Sequence, residues 1–149
     1  MKKIMFILAF AVMLSANAFA KTLNSKQTAL RDNLYSFVKN EGFQPTIDSD
    51  GDIKFKYQGK NYFIQVSSQN ASPMYVSLSL IYPYDDTYTK ARLSNYSYLS
   101  KVNDYKMCKL ILNDNYFEIS CSLFLEDASA FKNIFYKMLE IIAQADEDF

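Results

Sequence analysis

The chain contains no histidine and no tryptophan, and it has only three glycines, three prolines and two cysteines. Without histidine, Ser-His-Asp and Cys-His nucleophile systems and His-ligated metal sites are excluded. Gly42, Gly51 and Gly59 are too scattered to build a phosphate-cradling loop. The cysteines, Cys108 and Cys121, lack the C-x-x-C spacing and the flanking positive charge of a redox-active pair. Neither sign of charge dominates, with 16 basic and 16 acidic residues, which argues against a dedicated nucleic-acid binder. We therefore expect no metal, no cofactor and no nucleic-acid partner, and no catalytic constellation is recognisable.

The first 20 residues read as an address. Lys2 and Lys3 precede an apolar run over residues 4–14, and Ala18 and Ala20 stand in the A-x-A arrangement that a signal peptidase reads. The run is about half the ~20 residues needed to cross a bilayer. No cysteine follows the cut, so a lipid-anchored form is not expected. The compact Lys-Lys start suits a bacterial leader and predicts an exported protein, periplasmic or secreted. Its mature part, residues 21–149, has the size of one domain and no membrane-spanning stretch. Loss of Lys2 and Lys3 with the leader leaves 14 basic against 16 acidic residues, a net charge of −2.

Twelve tyrosines and twelve phenylalanines take the place of tryptophan, which suits a strand-rich core with amphipathic rings at its margin. Residues 25–40 carry Leu30, Leu34, Phe37 and Val38 at helical spacing, with Asn24 or Ser25 to cap and Gly42 to terminate. Short strands follow at residues 43–47 and 52–57. In the second, Ile53, Phe55 and Tyr57 alternate with Lys54 and Lys56. A two-residue turn at Gln58-Gly59 sets Phe55 opposite Tyr62 and Ile53 opposite Ile64. A polar loop over residues 67–73 leads to an alternating strand at 74–82. Pro83 ends it, and Asp85 or Asp86 caps a second helix over 87–101. A second hairpin, 105–112 with 116–124, precedes a terminal helix capped by Asp127. That helix has Ala130, Phe131, Ile134, Phe135, Met138, Ile141 and Ile142 on its apolar stripe and a fraying acidic end from Asp146 onward. Tight hairpins demand antiparallel pairing. The expected fold is α+β, an antiparallel sheet with helices in the order α-β-β-β(-β)-α-β-β-α.

Four constellations could carry chemistry. If Asp114-Asn115 is the turn of the second hairpin, Cys108 and Cys121 lie opposite each other. A cross-strand disulfide and a pair of buried thiols are then equally open. A turn at Asn113-Asp114 keeps the faces but sets Cys108 against Ile119. Asp48-Ser49-Asp50-Gly51-Asp52 resembles a calcium loop, but Ile53 and Gly59 stand where an EF-hand needs glycine and an acid. Turn chemistry is expected there instead. Asp85-Asp86 reads as a cap rather than a hydrolytic pair, because such pairs usually come from different elements. Tyr82, Tyr84, Tyr88, Tyr96 and Tyr98 cluster between a strand and a helix and are the candidate binding residues.

The run from Asp48 through Lys54, Phe55, Gly59 and Tyr62 to Val66, set after a helix ending in Gly42-Phe43, resembles the YbjN-like family. The stretch from Ala91 and Asn95 into the Cys108 hairpin and the final helix continues the likeness. The resemblance implies a fold similar to that of type III secretion chaperones, often dimeric, with an exposed sheet or groove for protein partners and a regulatory role. It brings no catalytic residues. The expected function is protein or peptide binding, with a homodimer as one form. The alternatives are a small-ligand carrier and a hydrolase that works without histidine or metal.

Overall fold

Asn24 begins the first helix by accepting a hydrogen bond from the Gln27 amide at 3.0 Å, while Gln27 Oε1 accepts from the Asn24 amide at 2.8 Å. This reciprocal cap starts α1 (Ser25–Asn40), which ends as Gly42 turns left-handed at φ 91°. The computed structural model describes residues 21–105 and 107–147, with the side chains of Tyr96 and Tyr98 also outside the described set. Residues 1–20 and Asp148-Phe149 lie outside it too.

Six strands follow: β1 (Thr46–Ile47), β2 (Ile53–Tyr57), β3 (Lys60–Ala71), β4 (Met74–Pro83), β5 (Cys108–Leu112) and β6 (Tyr116–Leu125). They form one antiparallel sheet in the order β1-β2-β3-β4-β6-β5. The β2–β3 register is the expected one, Phe55 opposite Tyr62 and Ile53 opposite Ile64. Gln58 and Gly59 make the turn, both at positive φ, 49° and 79°, as a two-residue hairpin of this hand requires. The protein is an α+β fold.

Every helix packs on one face of the sheet. Leu30, Leu34 and Val38 of α1 meet Ile53, Phe55, Ile64 and Val66 there. The last helix, α4 (Ser129–Glu147), adds Phe131, Phe135, Met138, Leu139 and Ile142. Phe135 sits at the centre of an aromatic cluster, with the rings of Phe37, Phe43, Phe55 and Phe131 at centroid distances of 5.3 to 6.0 Å. Burial of such rings supplies the largest share of the folding free energy. The opposite face carries Lys54, Phe63, Gln65, Tyr75, Ser77, Ser79, Ser120 and Ser122.

Several expectations need correction. The predicted loop at 67–73 is the end of β3, which shifts register between Val66 and Ala71 and resumes pairing at Ala71 opposite Met74. The buried Gln27 makes this possible, because its Nε2 donates to the carbonyls of Ser67 (2.8 Å) and Asn70 (3.0 Å). Gln27→Ala should therefore strand two carbonyls and lower stability by about 2–3 kcal/mol, read as a shift in urea midpoint. The predicted second helix is two short ones, α2 (Lys90–Leu93) and α3 (Tyr96–Asn103). The break comes at Asn95, whose side chain accepts from the Ser97 amide and starts a new helix. Asp85 caps only the turn before them, and Thr89 caps α2. The strand expected from Tyr105 begins at Cys108, after a turn in which Met107 has φ 69°. In α4, Ala130 is exposed, Leu139 and Ala145 are buried, and the helix persists to Glu147 because Asp146 is anchored.

Candidate functional site

β4 leaves the sheet at Tyr82 and Pro83, and the chain then folds back over the end of β6. Phe117 is placed on the helix-covered face of β6 by its pairing with Tyr82, and it is only 1% exposed. The Tyr82 ring stacks on Phe117 at 5.3 Å, and the rings of Tyr84 and Tyr88 approach it at 5.9 Å. Asp85 sets the Tyr88 position, since its carboxylate accepts from the amides of Thr87 (2.8 Å) and Tyr88 (2.7 Å). The Tyr84 hydroxyl donates to the Asn113 carbonyl at 2.8 Å, tying this segment to the β5–β6 turn.

Together Lys60, Tyr82, Pro83, Asp85, Tyr88, Phe117 and Asp146 line an open cleft of about 360 Å³. Its polar end is made by α4 reaching back to the β2–β3 hairpin. Asp146 accepts the Tyr82 hydroxyl at 2.7 Å and forms an ion pair with Lys60. The Asp146 side chain is 7% exposed, so this pair is shielded more than a surface bridge. Of the five predicted tyrosines, the structure brings Tyr82, Tyr84 and Tyr88 together around Phe117. They are half-buried against the core rather than arrayed on an open edge. Tyr96 and Tyr98 belong to α3, and their side chains fall outside the described set.

Compared with protein-family models and with curated proteins, the chain matches none.

Phe117, Lys60 and Asp146 were absent from the expected site. Phe117 carried a signal, its inward position on an alternating strand, but Lys60 and Asp146 are 86 residues apart in sequence and meet only through the folded helix.

Burial holds the Tyr82 phenol well above its ordinary value of 10.0, reinforced by its hydrogen bond to Asp146 and by that carboxylate's charge. Tyr62 is raised in the same way, by burial first and then by the charge of Asp146. Unfolded tyrosines ionise near pH 10 while these two keep their protons in the fold. Their contribution is therefore fully present below pH 10 and is lost as pH rises above it. An alkaline unfolding titration should show stability falling from about pH 10 upward, and Tyr82→Phe should flatten that fall.

The remaining sequence candidates resolve into structural roles. Asp48 Oδ1 accepts from the amides of Asp50 (3.0 Å) and Asp52 (2.9 Å), which is turn chemistry. Asp52 itself is buried and ion-paired to Lys21 at 2.5 Å, and burial raises its carboxyl above the ordinary value. From it a chain of side chains crosses the sheet. Gln65 Nε2 donates to Asp52, Ser77 donates to Gln65 Oε1, and Ser79 donates to Ser120 at 2.9 Å. Among the described residues, no three of the cysteine and carboxylate side chains gather as metal ligands. No helix among them is long and apolar enough to cross a membrane.

Cys108 and Cys121 pair directly across β5 and β6, as the Asp114-Asn115 turn predicts, and both are buried. They are free thiols in this structure. Cys121 hydrogen-bonds to Cys108, which lowers the Cys108 thiol and raises that of Cys121, with burial raising Cys121 further.

Proposed function

We propose that this protein is an exported, non-catalytic domain that binds another protein or a peptide, with residues 1–20 as its cleaved leader. The observation that carries this reading is the aromatic cleft built on Phe117 by Tyr82 and Tyr88. Tyrosine and phenylalanine rings offer large contact area with few rotatable bonds, which is why they dominate binding energy at protein interfaces. The cleft's acids are already engaged. Asp146 holds Tyr82 and Lys60, and Asp85 holds two backbone amides. A hydrolytic pair instead needs one carboxyl kept protonated and a second kept free at a set separation. The resemblance to the YbjN-like family points the same way, toward a partner-binding domain that forms dimers in some members.

The test uses the protein with its leader removed, immobilised in envelope and culture-medium extract of its source cell. A stoichiometric protein partner that is retained by the parent and lost by Tyr84→Ala/Tyr88→Ala at matched folded fraction is the expected result. Retention of nothing, or retention of the same partner by the double variant, would remove the cleft as a protein-binding face. A cleft of this volume also falls in the range of small-molecule sites, ~300–1,000 Å³. A negative capture accompanied by a co-purifying small ligand would therefore make the protein a carrier.

A further inference from the structure

The edge of the sheet at β2 is left half-covered. β1 pairs with β2 only at Thr46 opposite Lys54 and Ile47 opposite Ile53. The Asp48 amide bonds to the Asp52 carbonyl at 2.9 Å, so Asp52 and, two residues on, Lys54 direct their backbone groups toward β1. By the same alternation Lys56 presents its N–H and C=O outward. Gln44, which would sit opposite it, lies outside β1, which begins at Thr46 after the buried Pro45. The gap is a cleft of about 530 Å³ lined by Gly42, Phe43, Gln44, Thr46, Lys54, Phe55, Lys56 and Asn61.

The charge in this gap has one sign. Lys54 and Lys56 share the helix-free face of the sheet, and among the described residues neither forms an ion pair. Lys54 lies over the Phe63 ring at 5.7 Å instead. No carboxylate lines the cleft, although the mature chain as a whole is slightly acidic. The other sheet edge is closed to the same use. On β5 the outward amides of Cys108 and Leu110 are occupied by the Tyr105 carbonyl (3.1 Å) and the Asn103 side chain (3.2 Å).

We propose that the β2 edge is a strand-addition site for an extended acidic segment of a partner protein. The incoming strand continues the line that β1 abandons and exchanges backbone hydrogen bonds with Lys56. Its alternate side chains fall on the two faces of the sheet. Those on the helix-free face are carboxylates, within reach of Lys56 directly opposite and Lys54 on the diagonal. Those on the other face are apolar and rest on the half-buried Phe43 ring. The occupant is thus a peptide alternating acidic and apolar residues. This site does not depend on the aromatic cleft, from which it is separated by the β2–β3 hairpin. Lys60 lines one cleft and its neighbour Asn61 lines the other.

The test uses the full chain, produced with its leader and purified as the cell delivers it, and a blocked seven-residue peptide alternating aspartate and valine. A matched peptide with lysine for aspartate is the control. The expected result is binding of the aspartate peptide alone, weakened by added salt, together with slowed hydrogen exchange at the Lys56 amide. Lys54→Glu/Lys56→Glu should weaken binding by roughly tenfold or more, Lys54→Gln/Lys56→Gln by less, and Tyr88→Ala not at all. Thermal melts of each variant check that the fold is kept. Equal binding of the lysine peptide, unchanged affinity in both double variants, or an unprotected Lys56 amide in the bound state would each overturn the proposal. Loss of binding in Tyr88→Ala alone would move the peptide to the aromatic cleft and leave the β2 edge without a function.

Discussion

Phe117→Ala should cost about 3–5 kcal/mol of stability and remove the aromatic cleft in the same stroke. The ring is almost wholly buried and is packed by Tyr82, Tyr84 and Tyr88. Removing it opens a void beneath three side chains whose rings pack against it. The cost therefore combines lost transfer free energy with a cavity that the flanking strands cannot close. Tyr88→Ala is the contrasting variant. Tyr88 is half-buried at the cleft wall, so its removal should cost about 1 kcal/mol while still disabling binding. Urea unfolding of both variants, with partner capture at matched folded fraction, separates the two effects. Should Phe117→Ala unfold no more easily than Tyr88→Ala, Phe117 would not be the floor on which the cleft rests.

Local chemistry was legible in the sequence wherever a short-range rule decided it. The span of α1 followed from Asn24, Gly42 and the spacing of Leu30, Leu34 and Val38. The register of the first hairpin followed from its two-residue turn, because strand side chains alternate with a period of two and a one-residue slip would turn Ile53 to the wrong face. The second hairpin offered two turns that keep the same faces, and the structure adopts Asp114-Asn115. What was not legible depended on distant partners. Residues 67–71 look like a polar loop until Gln27, some 40 positions earlier, supplies donors for their carbonyls. Asp146 looks like a frayed end until Tyr82 and Lys60 hold it. The split of the middle helix at Asn95 turned on a competition between continuing one helix and capping another, and the weak apolar face there gave no tertiary reward for continuity. For the candidate site, the tyrosines were visible as a cluster. Their common floor and the ion pair at one end required the strand order, which no single strand encodes.

The two cysteines give the other large expected effect. On β5 the amides of Cys108 and Leu110 point away from β6, so Cys108 and Cys121 face each other at a position that exchanges no backbone hydrogen bonds. Opposed Cα atoms at such positions lie about 4.5 Å apart, within the ~4.4–6.8 Å span of disulfides. The contact between the two thiols lowers that of Cys108 and raises that of Cys121. Under the proposed export the protein matures where disulfide oxidants are present. Two S–H bonds would give way to one S–S bond, with two electrons and two protons passing to the disulfide of a thiol oxidoreductase. In the chain-entropy account a bond across so short a hairpin stabilises by about 3 kcal/mol. At this chain length that corresponds to a melting temperature roughly 10 °C higher than that of the reduced form. Intact mass of the exported protein should be lower by the two hydrogens, and a reductant should lower the melting temperature of the parent but not of Cys108→Ala/Cys121→Ala. Free thiols in protein recovered from the envelope or medium would instead make Cys108 and Cys121 core residues that pack as small apolar groups, and reductant would then leave the melt unchanged.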